Sequence, residues 1–284
     1  MTSKRIQFSK YNPSGNMTVL VHSKHDKASY VSIANQIMQT SHICCEQVGF
    51  IESDQSDAQQ HFHLVMSGNE FCGNAAISFM HYLNEQRRIS TTGKRHESNL
   101  TQFQMQISGR SDLVECNIHH DGYYEVMMPQ PETIVQRQLT LDNQSFFATA
   151  VRYESYVHYV IHIETQDISN ELQQSLEHFV RSTQWNNVFK TIGIMLFDRG
   201  AQFLTPLIYL PEVQSCIWEH SCGSGAASIG IVENDQKGND IESLTVYQPG
   251  GHMIVTSKLE DKATYNTTIK GKVATIATGT AYIE

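Results

Sequence analysis

Cys72-Gly73-Asn74-Ala75-Ala76-Ile77-Ser78 returns, 150 positions further on, as Cys222-Gly223-Ser224-Gly225-Ala226-Ala227-Ser228. Each copy follows a strand-like run, opens with Cys-Gly, and continues into a small, apolar segment: Ala75–Met80 in the first, Ala226–Ile231 in the second. A helix that is apolar all round belongs inside a core. Each half of the chain therefore reads as a sheet wrapped around one central helix, with a cysteine at the amino end of that helix. The expected fold class is α+β: two pseudo-symmetric domains, each a mostly antiparallel sheet around a central apolar helix, with the active site in the cleft between them. The crossover falls near Met128-Pro129-Gln130-Pro131. Coincidence is the competing account, because Cys-Gly plus small residues is a short match; the similar flanks weigh against it.

Outward from this pair, most of the chain reads as short strands in which Val, Ile, Phe and Tyr alternate with polar residues. Examples are Met17–His22, Phe62–Met66, Tyr123–Met128, Tyr156–Ile163, Thr191–Phe197, Leu244–Tyr247 and Met253–Ser257. Ser29–Thr40 and Leu172–Thr183 carry apolar residues at helical spacing instead. A length of 284 residues suits one large domain or two ordinary ones, and 40% hydrophobic residues suffice for buried cores. A net charge of −9 argues against nucleic acid and anionic membranes, which both want a basic face. Lys4 and Arg5 near the start have no apolar run after them, and nothing approaches the roughly 18–20 apolar residues of a membrane span, so a cytoplasmic location is expected. Six cysteines are too few for a disulfide scaffold in a chain this long. Cys44, Cys45, Cys116 and Cys216 read as packing residues or surface thiols.

Cys72 and Cys222 read differently. A thiol at a helix amino terminus gains thiolate character, because the dipole and the unpaired N–H groups stabilise negative charge. Two such thiols from separate repeats, with no Cys-x-x-Cys spacing, suit a 1,1-proton transfer at an amino-acid α-carbon. One, as thiolate, removes the proton from one face while the other, as thiol, delivers a proton to the opposite face. The charge that develops spreads into the carboxylate, and the backbone N–H groups of Gly73, Asn74, Gly223 and Ser224 are the natural anion site for it. The scheme needs no cofactor and no metal, and the sequence carries neither a pyridoxal-type lysine motif nor a metal triad. A metal site near the second cysteine has only His220 as a close candidate, and His61-Phe62-His63 reads more simply as solvated histidines on a strand. A cysteine hydrolase leaves the second Cys-Gly helix unexplained. From another class, a non-catalytic amino-acid-binding protein would keep the cleft and lose the chemistry. Taken alone, the residues reach an amino-acid racemase or epimerase and no further.

The chain resembles the diaminopimelate epimerase-like superfamily over essentially its full length. Phe8–Asn16 is similar to that family's first strand and Gly-Asn turn, and Cys72-Gly73-Asn74 and Cys222-Gly223-Ser224-Gly225 to its two signatures. Gln248-Pro249-Gly250-Gly251, Ile269-Lys270-Gly271 and Ala277-Thr278-Gly279 resemble its closing strands, which implies that the last strand returns to the first domain. The implied domains are 1–128 plus about 273–284, and 129–272. True diaminopimelate epimerases carry a Glu-Arg pair upstream of the second cysteine; here Glu212 is followed by Val213, with no arginine nearby. Their Gly-Asn-Pro-His turn appears as Ser155-Tyr156-Val157-His158, so the clamps for a second zwitterionic head group are missing. Glu219-His220-Ser221-Cys222-Gly223 is similar to proline racemases. Glu70-Phe71-Cys72-Gly73-Asn74-Ala75 is similar to phenazine-biosynthesis isomerases, which lack the second cysteine.

The chain also resembles the cofactor-independent histidine racemases of staphylopine-type metallophore biosynthesis, through Phe8–Asn16, Cys44–Ile51, Ser67–Asn74, Ser221–Gly225 and Gln248–Gly251. That resemblance implies L-histidine as substrate. It further implies a downstream synthase that builds D-histidine into a nicotianamine-like chelator, and it is compatible with a homodimer. It makes Cys72 and Cys222 the two bases and gives Gly73, Asn74, Gly223 and Ser224 the substrate carboxylate. Asn16, Glu46 and Gln47 line the pocket, with Glu46 toward the ammonium or imidazole. His158 and Glu212 tune the second thiol or hold the amino group.

Overall fold

The computed structural model describes residues 4–52, 62–89, 94–96, 100–141, 144–182, 188–261 and 264–284. The chain is mixed α+β, dominated by sheet, and divides into two compact units, Met1–Met127 with Lys270–Glu284, and Met128–Ile269.

The first unit contains β1 (Lys4–Asn12), β2 (Thr18–Val21), α1 (Tyr30–Met38), β3 (Gln47–Glu52), β4 (Phe62–Met66), α2 (Gly73–Glu85), β5 (Lys94–His96), β6 (Leu100–Ile107), β7 (Val114–His119) and β8 (Tyr124–Met127). The second holds β9 (Thr133–Leu141), β10 (Gln144–Arg152), β11 (Tyr156–His162), α3 (Asn170–Arg181), β12 (Thr191–Asp198), β13 (Phe203–Leu210), β14 (Ser215–Trp218), α4 (Gly223–Lys237), β15 (Ile241–Gln248), β16 (Gly251–Asp261) and most of β17 (Thr264–Gly271). The last strand, β18 (Ala274–Ile283), pairs antiparallel with β1 in the first unit.

Strand pairing follows the same plan in both units. In the first, β18, β1 and β2 are antiparallel neighbours, β2 runs parallel to β3, β3 antiparallel to β4, and β4 parallel to β6, which pairs antiparallel with β7. In the second, β9, β10 and β11 are antiparallel neighbours, β11 runs parallel to β12, β12 antiparallel to β13, and β13 parallel to β15, which pairs antiparallel with β16. Parallel neighbours cannot be joined by a tight turn and need a crossover. Among the described residues, these four parallel pairs are joined through four α-helices: α1 and α3 span the first pair of each unit, α2 and α4 the second.

These two kinds of helix differ as their sequences require. In α1, Tyr30, Ile33, Ala34 and Ile37 are buried at i, i+3, i+4 and i+7, so one stripe faces Ile6, Phe8, Val19, Val48 and Phe50. Each such large side chain, fully buried, contributes about 1.5–3 kcal/mol. Leu176 and Val180 play the same part in α3. By contrast α2 is buried from Gly73 through Met80, and α4 at Gly223 and from Gly225 through Asn234. Small side chains let a sheet close around a helix on several sides.

The element boundaries refine the sequence expectations. The helix expected at Leu172–Thr183 starts two residues earlier, because the Ser169 hydroxyl accepts a hydrogen bond from Leu172 N at 3.2 Å and caps it; Thr183 lies outside the described residues. His61, and with it the His61–His63 pair, is also outside them. Strand β13 contains Pro206, a residue that argues against an interior strand; here Pro206 stands opposite Met195 and its carbonyl accepts from Glu219 N at 3.0 Å. Among the described residues no helix is long and apolar enough to cross a membrane, and no group of three or more His, Cys, Asp or Glu is gathered as a metal site would require.

Candidate active site

Cys72 and Cys222 begin their helices in the same way. Each is the N-cap residue, with φ, ψ of −131°, 113° and −126°, 107°, and each carbonyl accepts the first helical hydrogen bond, from Ala76 N at 2.9 Å and Ala226 N at 3.0 Å. An extended residue at the cap turns the chain from strand into helix and leaves the next N–H groups pointing outward. Neither cysteine is in a disulfide.

The loop that brings in Cys72 is tied down on both sides. Ser67 N donates to Val48 O at 3.0 Å, and the Ser108 hydroxyl accepts from Met66 N at 2.9 Å while donating to Glu70 O at 2.8 Å. Gly109, at φ +76°, passes so close behind that a Cβ there would lie 2.3 Å from Phe71 N. Cys72 itself is half-buried, with Gly73 and Asn74 buried behind it. Asn16, Glu46 and Gln47 gather at the same end of the sheet. Met17 O accepts from both Glu46 N (2.8 Å) and Gln47 N (3.1 Å), Thr18 stands opposite Gln47, and Ser67 leaves β4 beside Val48. Asn16 is 1% exposed, and Glu46 and Gln47 are half-buried. Backbone pairing thus sets Asn16 beside Glu46 and Gln47.

In the second unit, Cys222 Sγ accepts from Gly225 N at 3.4 Å and lies 3.5 Å from the Ser224 hydroxyl. A side chain at residue 225 would put its Cβ 2.6 Å from Met195 Sδ and 3.3 Å from Cys222 Sγ, so glycine is what lets the sulfur sit over the helix start. Cys222 N donates to the side-chain carbonyl of Gln248 at 2.6 Å, and Gly250 N to His220 O at 2.8 Å, which fixes this loop against the β15–β16 turn. The Cys222 thiol is 5% exposed. Burial and, after it, the neighbouring Glu219 carboxylate raise its pKa well above the ordinary thiol value, outweighing the hydrogen bonds from Ser224 and Gly225 N that favour the anion. The helix terminus does aim an N–H at the sulfur, as the sequence implies, yet desolvation wins and Cys222 rests as the neutral thiol.

Two second-unit candidates are corrected by the geometry. Glu212 sits exposed in the short turn between β13 and β14, at the hairpin tip, whereas Cys222 follows the other end of β14. The carboxylate that reaches the thiol is Glu219, three residues before it in sequence, through a direct hydrogen bond. His158 is 1% exposed and points into the core beneath α4, which leaves it no surface for a substrate. Its Nδ1 lies 2.8 Å from the Ser228 hydroxyl, and Ser228 is also 2.8 Å from the Tyr153 hydroxyl. Burial lowers the His158 pKa to about 3, so the ring is neutral, and burial likewise pushes the Tyr153 phenol up. The motif hinted at Glu219, whose place next to His220-Ser221-Cys222 resembles proline racemases; no local signal marked Gln248 as a partner of Cys222.

Two of the other cysteines are packed into the core. Cys116 is 1% exposed with its thiol donating to Val114 O at 3.4 Å, and Cys45 belongs to the α1 core, where burial pushes its thiol up to about 12.

Comparison with known proteins bears on the family and the fold. Residues 5–282 match the family model described as the histidine racemase CntK N-terminal domain. A histidine racemase from Staphylococcus aureus (strain Mu50) is 54% identical over 284 residues, all of both chains. A histidine racemase from Fusobacterium nucleatum subsp. nucleatum is 28% identical over 98% of this chain and 97% of that protein. Among solved structures, a hydroxyproline epimerase from Agrobacterium vitis superposes with a TM-score of 0.67 at 10% identity, covering 98% of this chain and 93% of that one; this likeness speaks to the fold.

Proposed function

The chain belongs to the CntK family of histidine racemases, and on that premise we propose that it interconverts L- and D-histidine by a two-base proton transfer between Cys72, Cys222 and the substrate α-carbon. The observation that carries the mechanism is the pair of helix starts: two Cys-Gly caps of matching backbone geometry, each on the crossover that joins the second parallel pair of its unit. A single nucleophilic cysteine would not call for the second.

The two cysteines divide the work by protonation state. Cys222, buried beside Glu219, holds its proton and is the donor in the resting enzyme. Cys72 then acts as base: its thiolate takes the α-proton, the electron pair delocalises into the carboxylate, and the Cys222 thiol protonates the opposite face. The enzyme is left with Cys72 as thiol and Cys222 as thiolate, the form that runs the reaction backward. The N–H groups of Gly73, Asn74, Gly223 and Ser224 hold the carboxylate as its charge grows. The scheme requires both sulfurs to reach opposite faces of one carbon. Asn16, Glu46 and Gln47 are assigned to the ammonium and imidazole. In this reading the two units correspond to pseudo-symmetric domains of diaminopimelate epimerase-like type, the protein works in the cytoplasm, and its D-histidine feeds a synthase making a nicotianamine-like metallophore.

Incubation with L-histidine in deuterium oxide tests the proposal. D-Histidine carrying deuterium at Cα is expected, with Cys72→Ser and Cys222→Ser each slower by at least about 10²-fold and unchanged in thermal unfolding. Full activity in either serine variant sinks the two-base scheme. A strong preference for diaminopimelate over histidine sinks the substrate.

A further inference from the structure

Gln248 ends β15, just before the Pro249-Gly250 turn, and its side chain is 3% exposed. Its amide orientation is not arbitrary. Cys222 N–H can only donate, so the prong 2.6 Å away must be the carbonyl oxygen Oε1, and Nε2 must be the other. Nε2 is buried and makes no hydrogen bond. Covalent geometry holds the two prongs about 2.3 Å apart, so Nε2 lies within roughly 5 Å of Cys222 N, at the amino end of α4. A buried donor left unmet costs about 1–3 kcal/mol, and the bond from Cys222 N accounts for Oε1 alone. Nε2 is the prong to which the fold gives no partner.

We infer that Gln248 is a further substrate-binding residue, whose Nε2 donates to a carboxylate oxygen of the amino-acid substrate held at the start of α4. Its two prongs have separate tasks. Oε1 fixes the peptide N–H of Cys222, so that this group is not spent on the ligand, and Nε2 joins the Gly223 and Ser224 N–H groups around the carboxylate. An uncharged donor suits this place, because a lysine or arginine beside Cys222 would favour the thiolate and remove the proton the thiol has to deliver. The inference rests on the racemase reading above and extends it to the recognition of the α-carboxylate, the group shared by every amino acid.

The test measures binding in the full-length Cys72→Ser variant, which turns over at least about 10²-fold more slowly and leaves the second unit intact. L-Histidine and L-histidinamide, whose carboxamide is neutral, are titrated calorimetrically with and without Gln248→Glu. Glutamate keeps an oxygen for Cys222 N–H and replaces the donor by an anionic acceptor. L-Histidine should then bind about 10- to 100-fold more weakly, the range of a charge-assisted hydrogen bond, while L-histidinamide, which can turn its NH2 toward the glutamate, loses far less. Equal losses for both ligands, or L-histidine affinity within twofold of the parent, would overturn the inference and leave the racemase reading standing. No binding of L-histidine to the Cys72→Ser parent would overturn both. If Gln248→Glu does not fold, Gln248→Met, neutral and of similar length, is put through the same pair of ligands with the same inequality expected.

Discussion

Ser78 and Ser228 occupy equivalent places, six residues after their cysteines, and both are fully buried. Replacing each by alanine separates two very different roles. The Ser78 hydroxyl donates at 2.8 Å to Asn74 O, a carbonyl of its own helix, so its loss removes one local contact and is expected to cost no more than about 1 kcal/mol. Ser228 instead bridges α4 to the sheet, at 2.8 Å from both His158 Nδ1 and the Tyr153 hydroxyl. Ser228→Ala leaves two buried polar groups unmet, at about 1–3 kcal/mol each, or about 2–6 kcal/mol together. With roughly 2 °C lost per kcal/mol in a chain of this size, the melting temperature should fall by about 4–12 °C, against 2 °C or less for Ser78→Ala. Urea unfolding followed by circular dichroism gives the free energies, and a thermal scan gives the shift. Equal effects of the two substitutions would refute the claim that this hydroxyl pins α4 in place.

Three further outcomes are expected. The unfolded chain protonates His158 near pH 6.5 whereas the folded chain keeps it neutral down to about pH 3, so unfolding takes up a proton and stability falls with acidity. Between pH 6.5 and 5 this group alone removes about 2 kcal/mol, and His158→Asn should flatten that slope in urea titrations; an unchanged slope assigns it elsewhere. Glu219→Gln removes a negative charge beside the Cys222 thiol, so the midpoint of its pH-dependent alkylation, read peptide by peptide by mass spectrometry, should move down; a midpoint that stays or rises removes Glu219 from the account. Gly225→Ala forces a Cβ to within 2.6 Å of the fully buried Met195 sulfur and 3.3 Å of Cys222 Sγ. It should destabilise by about 1–3 kcal/mol, and racemisation should fall by about 10²-fold for each ångström the thiol is displaced; parental stability and rate would contradict the packing described.

What the sequence determined by itself was local. A Cys-Gly pair opening a run of small residues specifies an extended cap and a helix that a core can surround, because capping and helical period act over a handful of neighbours. The repeat at Cys72 and Cys222 therefore showed both helix starts and the α+β class, and the stripe Tyr30, Ile33, Ala34, Ile37 showed α1. Strand β18, Ala274–Ile283, stays exposed over most of its length and is marked as a closing strand only by family resemblance, and β13 hides behind Pro206; each takes its place from hydrogen bonds to a distant partner. The candidate site divides in the same way. Glu219 in place of Glu212, the Gln248 carbonyl reaching Cys222 N across 26 residues, and the sealing of His158 against Ser228 all depend on strand register and helix seating. The protonation of Cys222 belongs with these, since a thiol's charge answers to the water removed from around it, and how much is removed is settled only when the chain has packed.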